Sequence, residues 1–292
     1  MSISDKNKKF SKLAALFVLL LFAIWFLSTK DMIATESHIF EVKKGSSMGS
    51  IAQELSEKGL IKSELFFTSF SKFLNANKKL KSGYYEILPG TSVWTFIDKI
   101  SIGSVLSTKV TLIEGKTIKF YFNQLTNDPS IKPSGSLKEV MTSIGINEPY
   151  DGWFFPETYS FNYGESLENV LKRAHQELMK NLMVLWDQRD KGLPLKSPYE
   201  AIILASLIEN ETALDEEKSL IAGVFIRRLN EGMRLQTDPT VIYGLGERYQ
   251  GNLTRKHLKE KTAYNTYRIK GLPPSPIAMV GREAIHAAVN PK

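Results

Sequence analysis

The chain has 292 residues, a length that gives two domains of ordinary size, each able to bury its own core. Hydrophobic residues make up 42% and charged residues 24%, a globular composition that excludes collagenous and disordered classes. The formal charge of +7 suits an anionic partner such as nucleic acid, anionic lipid or an acidic polymer without choosing among them. Cysteine is absent, which excludes disulfide scaffolds, Cys-ligated metals and a thiol nucleophile. The histidines are His38, His175, His257 and His286, with no pair at H-x-x-x-H spacing, so no metal site is expected. No G-x-S-x-G elbow, phosphate loop or dinucleotide fingerprint is present, and neither a cofactor nor a nucleic-acid partner is expected.

The first predicted element is a membrane segment. Leu13 to Leu27 read LAALFVLLLFAIWFL without a charge, and Lys6, Lys8, Lys9 and Lys12 precede them as a cytoplasmic flank. Phe26-Leu27-Ser28-Thr29-Lys30 lacks a small-residue cleavage pattern, so a retained anchor is preferred to a cleaved signal peptide. Trp25 and Phe26 suit the far interface. The expectation is a cytoplasmic tail at 1–12, a single-pass transmembrane anchor at 13–29, and the remainder outside the cytoplasm.

Three ungapped windows then repeat one pattern: Glu41–Leu55 (EVKKGSSMGSIAQEL), Glu86–Ile100 (EILPGTSVWTFIDKI) and Thr111–Leu125 (TLIEGKTIKFYFNQL). Each has a strand-like start, a glycine (Gly45, Gly90, Gly115), a hydroxyl two residues later to cap a helix (Ser47, Ser92, Thr117), and apolar residues at helical spacing. The unit resembles the LysM-like module that holds cell-wall glycan, although a spacer or dimerisation surface fits the pattern equally. The repeat region is placed at 38–126. A polar, Pro/Ser-rich stretch at 127–150 reads as a joint between domains.

Beyond the joint, Gly152-Trp153-Phe154-Phe155-Pro156-Glu157-Thr158-Tyr159 is dense in aromatics, a core cluster from which Trp153, Phe154 or Tyr159 could line a cleft. A helix is predicted over Leu167–Asp190. Ser197-Pro198-Tyr199-Glu200 is a capping box opening a second helix, whose run Ala201–Ile208 is apolar on every face and therefore buried. That helix ends in Glu209-Asn210-Glu211-Thr212. Burial would favour a protonated carboxyl able to act as a general acid, whereas the plain alternative is simple helix termination. Residues 209 and 211 lie about 200° apart on a helix, so one faces a cleft and the other solvent or a base. A third helix, Asp215–Glu231, is predicted to turn Leu220, Val224, Phe225 and Leu229 inward. Gln236-Thr237-Asp238, then Thr262–Tyr267, then Gly271–Ile277 are polar or proline-rich loops whose amides, hydroxyls and tyrosines suit a neutral polyhydroxylated ligand.

ASLIENET, GMRLQTDPTVIYGLG, TAYNTYRIKGLPPSPI and AAVNP closely resemble the YceG-like endolytic murein transglycosylases, from about Gly152 to the last residue. The resemblance implies cleavage of the MurNAc–GlcNAc β-1,4 bond within peptidoglycan strands, leaving 1,6-anhydroMurNAc ends and terminating nascent strand elongation. It maps the catalytic acid and base to Glu211, with Glu209 as the alternative acid. From their clustering, the substrate-binding residues expected are Gln236, Thr237 and Asp238, which would position the sugar or the acid, and Tyr264 and Asn265, which would line the cleft. Its implied partners are glycan strands and cell-wall synthases, and its implied location is the bacterial inner membrane with the catalytic domain extracytoplasmic. A non-catalytic peptidoglycan scaffold and a two-carboxylate muramidase using Asp238 are the rival readings.

The fold expected is α+β: the anchor, a small LysM-like strand–helix repeat domain, and a mainly helical, lysozyme-like catalytic domain at 151–292. Family members continue past the AAVNP-like segment into a strand-rich tail, so the catalytic domain is read as incomplete where this chain stops, at Lys292.

Overall fold

The computed structural model describes residues 15–20, 23 and 32–292. The expected tail at 1–12 lies outside these residues, as does most of the expected anchor. Among the described residues no helix is long and apolar enough to cross a membrane. The fold is α+β, as expected, and divides into two compact units. One runs to Thr108 and includes Asn162–Gly164, and the other comprises Lys109–Phe161 and Glu165–Lys292.

In the first unit, β1 (His38–Val42) pairs antiparallel with β2 (Gly83–Ile87), Phe40 standing opposite Tyr85. Alternation puts Phe40, Val42, Tyr85 and Ile87 on one buried face. Against them pack α1 (Met48–Glu57), α2 (Glu64–Phe73) and α3 (Val93–Ile102). Phe96 of α3 meets Phe40 edge-on at 5.8 Å, and each fully buried side chain of this size contributes about 1.5–3 kcal/mol.

All three sequence repeats fold as strand, glycine turn and helix. Gly45, Gly90 and Gly115 adopt φ of 86°, 81° and 74°, a region closed to most side chains. Ser47, Ser92 and Thr117 each accept an N–H from the third residue beyond them. The third copy, β3 (Ser107–Thr111) and α4 (Ile118–Thr126), departs from the expected grouping. Its helix buries Ile118, Tyr121 and Leu125 in the core of the second unit, so the unit boundary divides the predicted repeat region 38–126.

Nor is 127–150 an open joint. It carries β4 (Ile131–Lys132) and α5 (Leu137–Ser143), and buries Ile131, Val140, Met141 and Ile146 in that same core. These apolar residues stand singly or in pairs among polar neighbours, which masked them in the sequence. Next come β5 (Thr158–Asn162), paired with β3, and β6 (Glu165–Ser166), parallel to β4.

The rest of the second unit is helical: α6 (Leu167–Asp187), α7 (Pro198–Glu211), α8 (Asp215–Asn230), α9 (Asp238–Leu245), α10 (Arg255–Lys259) and α11 (Arg282–Val289). Helix α7 is the central one. Ala201 through Ile208 are all buried, with α6, α8, α9 and α11 packed around them. Its cap is half the predicted box. Ser197 accepts the Glu200 N–H at 3.3 Å, but Glu200 reaches past Ser197 to the Lys196 N–H at 2.6 Å.

Helix α8 is rotated from its predicted setting. Phe225 is buried, but Leu220 and Val224 are exposed, and the inner face is made by Lys218, Ala222, Gly223, Phe225 and Ile226. On that face the ammonium of Lys218 turns inward to a carboxylate on α7.

Candidate active site

The two carboxylates at the end of α7 diverge as the helical period requires. Glu209, with a side chain only 5% exposed, forms an ion pair with Lys218 at 2.8 Å and accepts the Gly281 N–H at 2.8 Å. Gly281 is the N-cap of α11, so this carboxylate also meets the positive end of a helix. Asp215 closes on Lys218 from the outside at 2.8 Å. Burial pulls the Lys218 ammonium down, but the hydrogen bonds and charges of Asp215 and Glu209 outweigh it and hold its pKa above the usual lysine value. Both oxygens of Glu209 are thus engaged by the fold. The buried carboxylate and the chemically open one are different residues.

Glu211 is exposed at the last position of α7. Its Oε2 accepts a hydrogen bond of 2.7 Å from Thr237 Oγ1. Thr237 is itself buried, its N–H donating to Thr266 Oγ1 at 3.0 Å and its carbonyl accepting from Thr240 Oγ1 at 2.7 Å. Thr240 and Thr266 hydroxyls lie 2.8 Å apart. This knot of three threonines fixes the loop before α9 and so fixes the donor to Glu211.

Asp238 begins α9, next to Thr237, and accepts from the Tyr267 hydroxyl at 2.7 Å. Burial, then the Asp238 hydrogen bond and charge, then the Glu211 charge push the Tyr267 phenol up to about 12, against a smaller pull from Arg228. Glu211, Thr237, Asp238 and Tyr267 therefore share one electrostatic neighbourhood. Gln236 is exposed beside it, held at φ 55°.

Two sequence-derived site residues lie elsewhere. Asn265 is fully buried, and its Nδ2 donates to the carbonyls of His257, Leu258 and Glu260 at 3.3, 3.2 and 2.6 Å. Its Oδ1 accepts the Tyr267 N–H at 3.0 Å. The side chain is committed to folding its own loop, which removes it from a cleft-lining role. Tyr264 instead lines a separate cavity with Tyr243 and Asp151, described further below.

Of the aromatic cluster, Phe154 and Tyr159 are core, while Trp153 stacks on Tyr199 at 5.2 Å. Tyr267 and Asp151 join these candidates only in the fold. The repeated Tyr of A-Y-N-T-Y was a signal for the first, but nothing local marked the second. Among the described residues no group of three or more His, Cys, Asp and Glu is arranged to hold a metal ion.

The sequence model of the YceG-like family matches residues 40–292. The chain belongs to the YceG-like family. Within it, the chain is 29% identical to a Bacillus subtilis (strain 168) protein named endolytic murein transglycosylase, over 86% of this chain and 74% of the relative. It is 28% identical to a Streptococcus pneumoniae (strain ATCC BAA-255 / R6) protein of the same name, over 85% of this chain, and spans about half (51%) of that relative's length. A crystal structure of a yceG-like protein from Listeria monocytogenes superposes with a TM-score of 0.55 at 28% identity, covering 89% of this chain and 91% of that one. The family match takes in both units of this YceG-like chain and every candidate site residue.

Proposed function

We propose that this chain is an endolytic murein transglycosylase acting on peptidoglycan glycan strands, with Glu211 as its general acid and base. The observation that carries the assignment is the hydrogen bond from buried Thr237 to exposed Glu211 at the end of the central helix. The names of the Bacillus and Streptococcus relatives support the activity.

Because Thr237 donates to Oε2, a proton on this carboxyl resides on Oε1, the atom left for substrate. Glu211 Oε1 gives that proton to the glycosidic oxygen as its bond to the MurNAc anomeric carbon breaks. The sugar's own 6-hydroxyl then attacks that carbon and returns its proton to Oε1, so the acid is regenerated and a 1,6-anhydro end is left. A single carboxyl suffices for both steps. The Asp238 carboxylate, oriented by Tyr267, supplies negative charge for the developing oxocarbenium ion. Gln236, exposed on the adjoining turn, is a substrate contact.

Residues 13–29 serve as a single-pass inner-membrane anchor with the N-terminus cytoplasmic and the enzyme extracytoplasmic, a reading supported by the apolar run and its lysine flank. The strand–turn–helix repeats act as a LysM-like hold on the glycan strand, and cell-wall synthases are the protein partners that such placement favours.

The test is digestion of uncrosslinked glycan strands by the full chain and its Glu211→Gln variant. Cleavage by the parent alone supports the assignment. Equal loss of strand length with both proteins moves the acid elsewhere, and no cleavage by either makes the protein a scaffold.

A further inference from the structure

Tyr243 and Tyr264 meet edge to face at 4.7 Å in the second unit, on the wall of a cavity of about 740 Å³. Both rings are locked by their hydroxyls: Tyr243 donates to Asp151 Oδ2 at 2.7 Å, and Tyr264 shares a 2.7 Å hydrogen bond with Ser275 Oγ. Asp151 Oδ1 accepts the Ile118 N–H at 2.7 Å. A second hollow of about 500 Å³ shares Lys119, Asp151, Tyr243 and Tyr264 with the first. None of these groups takes part in the chemistry assigned to Glu211, whose neighbour Asn210 nevertheless lines the larger cavity.

We infer that this cavity is a binding subsite for a neutral N-acetylhexosamine ring of the glycan strand, distinct from the carboxylate that performs the chemistry; the inference rests on the transglycosylase reading. The volume falls within the ~300–1,000 Å³ of small-molecule sites. Rigid tyrosine rings offer the apolar surface that sugar C–H groups pack on, at little cost in side-chain freedom.

The polar wall includes the acceptors Asp151 and Asn210 beside the donors Thr117 and Lys119. Each oxygen of Asp151 holds one donor, and a carboxylate oxygen can accept a second. Asn210 Nδ2 donates to Ser206 O at 2.9 Å, which turns its Oδ1 toward Gly115, where an added Cβ would lie 3.6 Å away. Acceptors beside an aromatic wall match hydroxyl and acetamido N–H donors. The charges at the rim cancel, Lys119 pairing with Glu247 at 2.6 Å, so nothing there selects an anion.

The test measures calorimetric binding of tetra-N-acetylchitotetraose, and of its deacetylated amine form, to the full chain carrying Glu211→Gln. Ile242→Trp is then added, which fills the cavity from its wall, and separately Asn210→Ala, which removes one acceptor. The expected result is binding of the acetylated form, weakened ten-fold or more by Ile242→Trp and several-fold by Asn210→Ala at unchanged melting temperature. In the active protein, KM for strands should rise without an equal fall in kcat.

Acetylated-ligand affinity unchanged by the substitutions overturns the subsite, as does preference for the amine. If Ile242→Trp fails to fold, Asn210→Ala decides alone. Binding through the cavity with no anhydro product from the parent would leave the subsite standing and remove the transglycosylase reading. Anhydro product with unchanged KM in the variants would do the reverse.

Discussion

Thr237 Oγ1 donates to Glu211 Oε2 at 2.7 Å, tying the end of the buried helix α7 to the threonine-braced loop that opens α9. A carboxylate on an exposed helix end has many rotamers. One buried donor selects among them and leaves Oε1 as the oxygen that the proposed reaction uses.

Thr237→Val keeps the shape and removes that donor. A hydrogen bond to a charged group contributes about 1.5–3 kcal/mol, so kcat should fall roughly 10- to 100-fold. KM should change little, and Thr237→Ser should recover most of the rate. Steady-state kinetics on glycan strands reads all three. An equal fall in Thr237→Ser would mean that the methyl packing, and not the hydroxyl, matters.

Glu209→Ala should act on stability. It leaves Lys218 buried with only the exposed Asp215 as partner, and loss of one member of a buried pair costs about 3 kcal/mol or more. The expected result in urea is a lower midpoint at unchanged slope. A variant of parental stability that has lost all cleavage would instead make Glu209 the acid.

Asn265→Ala should likewise destabilise, by about 2 kcal/mol, because three carbonyls lose their shared donor within a closed loop. KM for strands measured well below the melting temperature should stay near the parental value. A raised KM in a fully stable variant would return Asn265 to the cleft.

Asp151 gives the stability a pH signature. Burial raises its carboxyl above the ordinary 3.8, the hydrogen bonds from Tyr243 and Ile118 only partly opposing it. The folded chain therefore holds this proton after the unfolded chain has released it. The contribution is fully present below pH 3.8 and is lost as pH rises from there through the raised folded value. Unfolding free energies of the parent, less those of Asp151→Asn, should fall across that window. A difference that rises with pH would mean the folded carboxyl is lowered.

Much of this arrangement was legible in the sequence where the signal was local. The Gly45, Gly90 and Gly115 turns, with their hydroxyl caps, announced three strand–helix units. The unbroken apolar run Ala201–Ile208 announced a buried helix, and helical geometry separated Glu209 from Glu211. What depended on tertiary partners was hidden. Nothing in D-E-E-K marks Lys218 as buried, yet it belongs to the inner face of α8 and its ion pair engages Glu209. Asn265 and Tyr264 are neighbours in one polar motif, but the fold turns the first into a loop brace and the second onto a cavity wall. The residue that accompanies Asp238 is Tyr267, three positions further along the same turn.

The assignment of Glu211 as acid and base for an intramolecular attack is tested most directly by mass spectrometry of the new ends made from uncrosslinked glycan strands by the full chain. Internal fragments lighter by one water, ending in 1,6-anhydroMurNAc and absent with Glu211→Gln, are the predicted result. Reducing ends from the parent, or anhydro ends that persist in the variant, would contradict it.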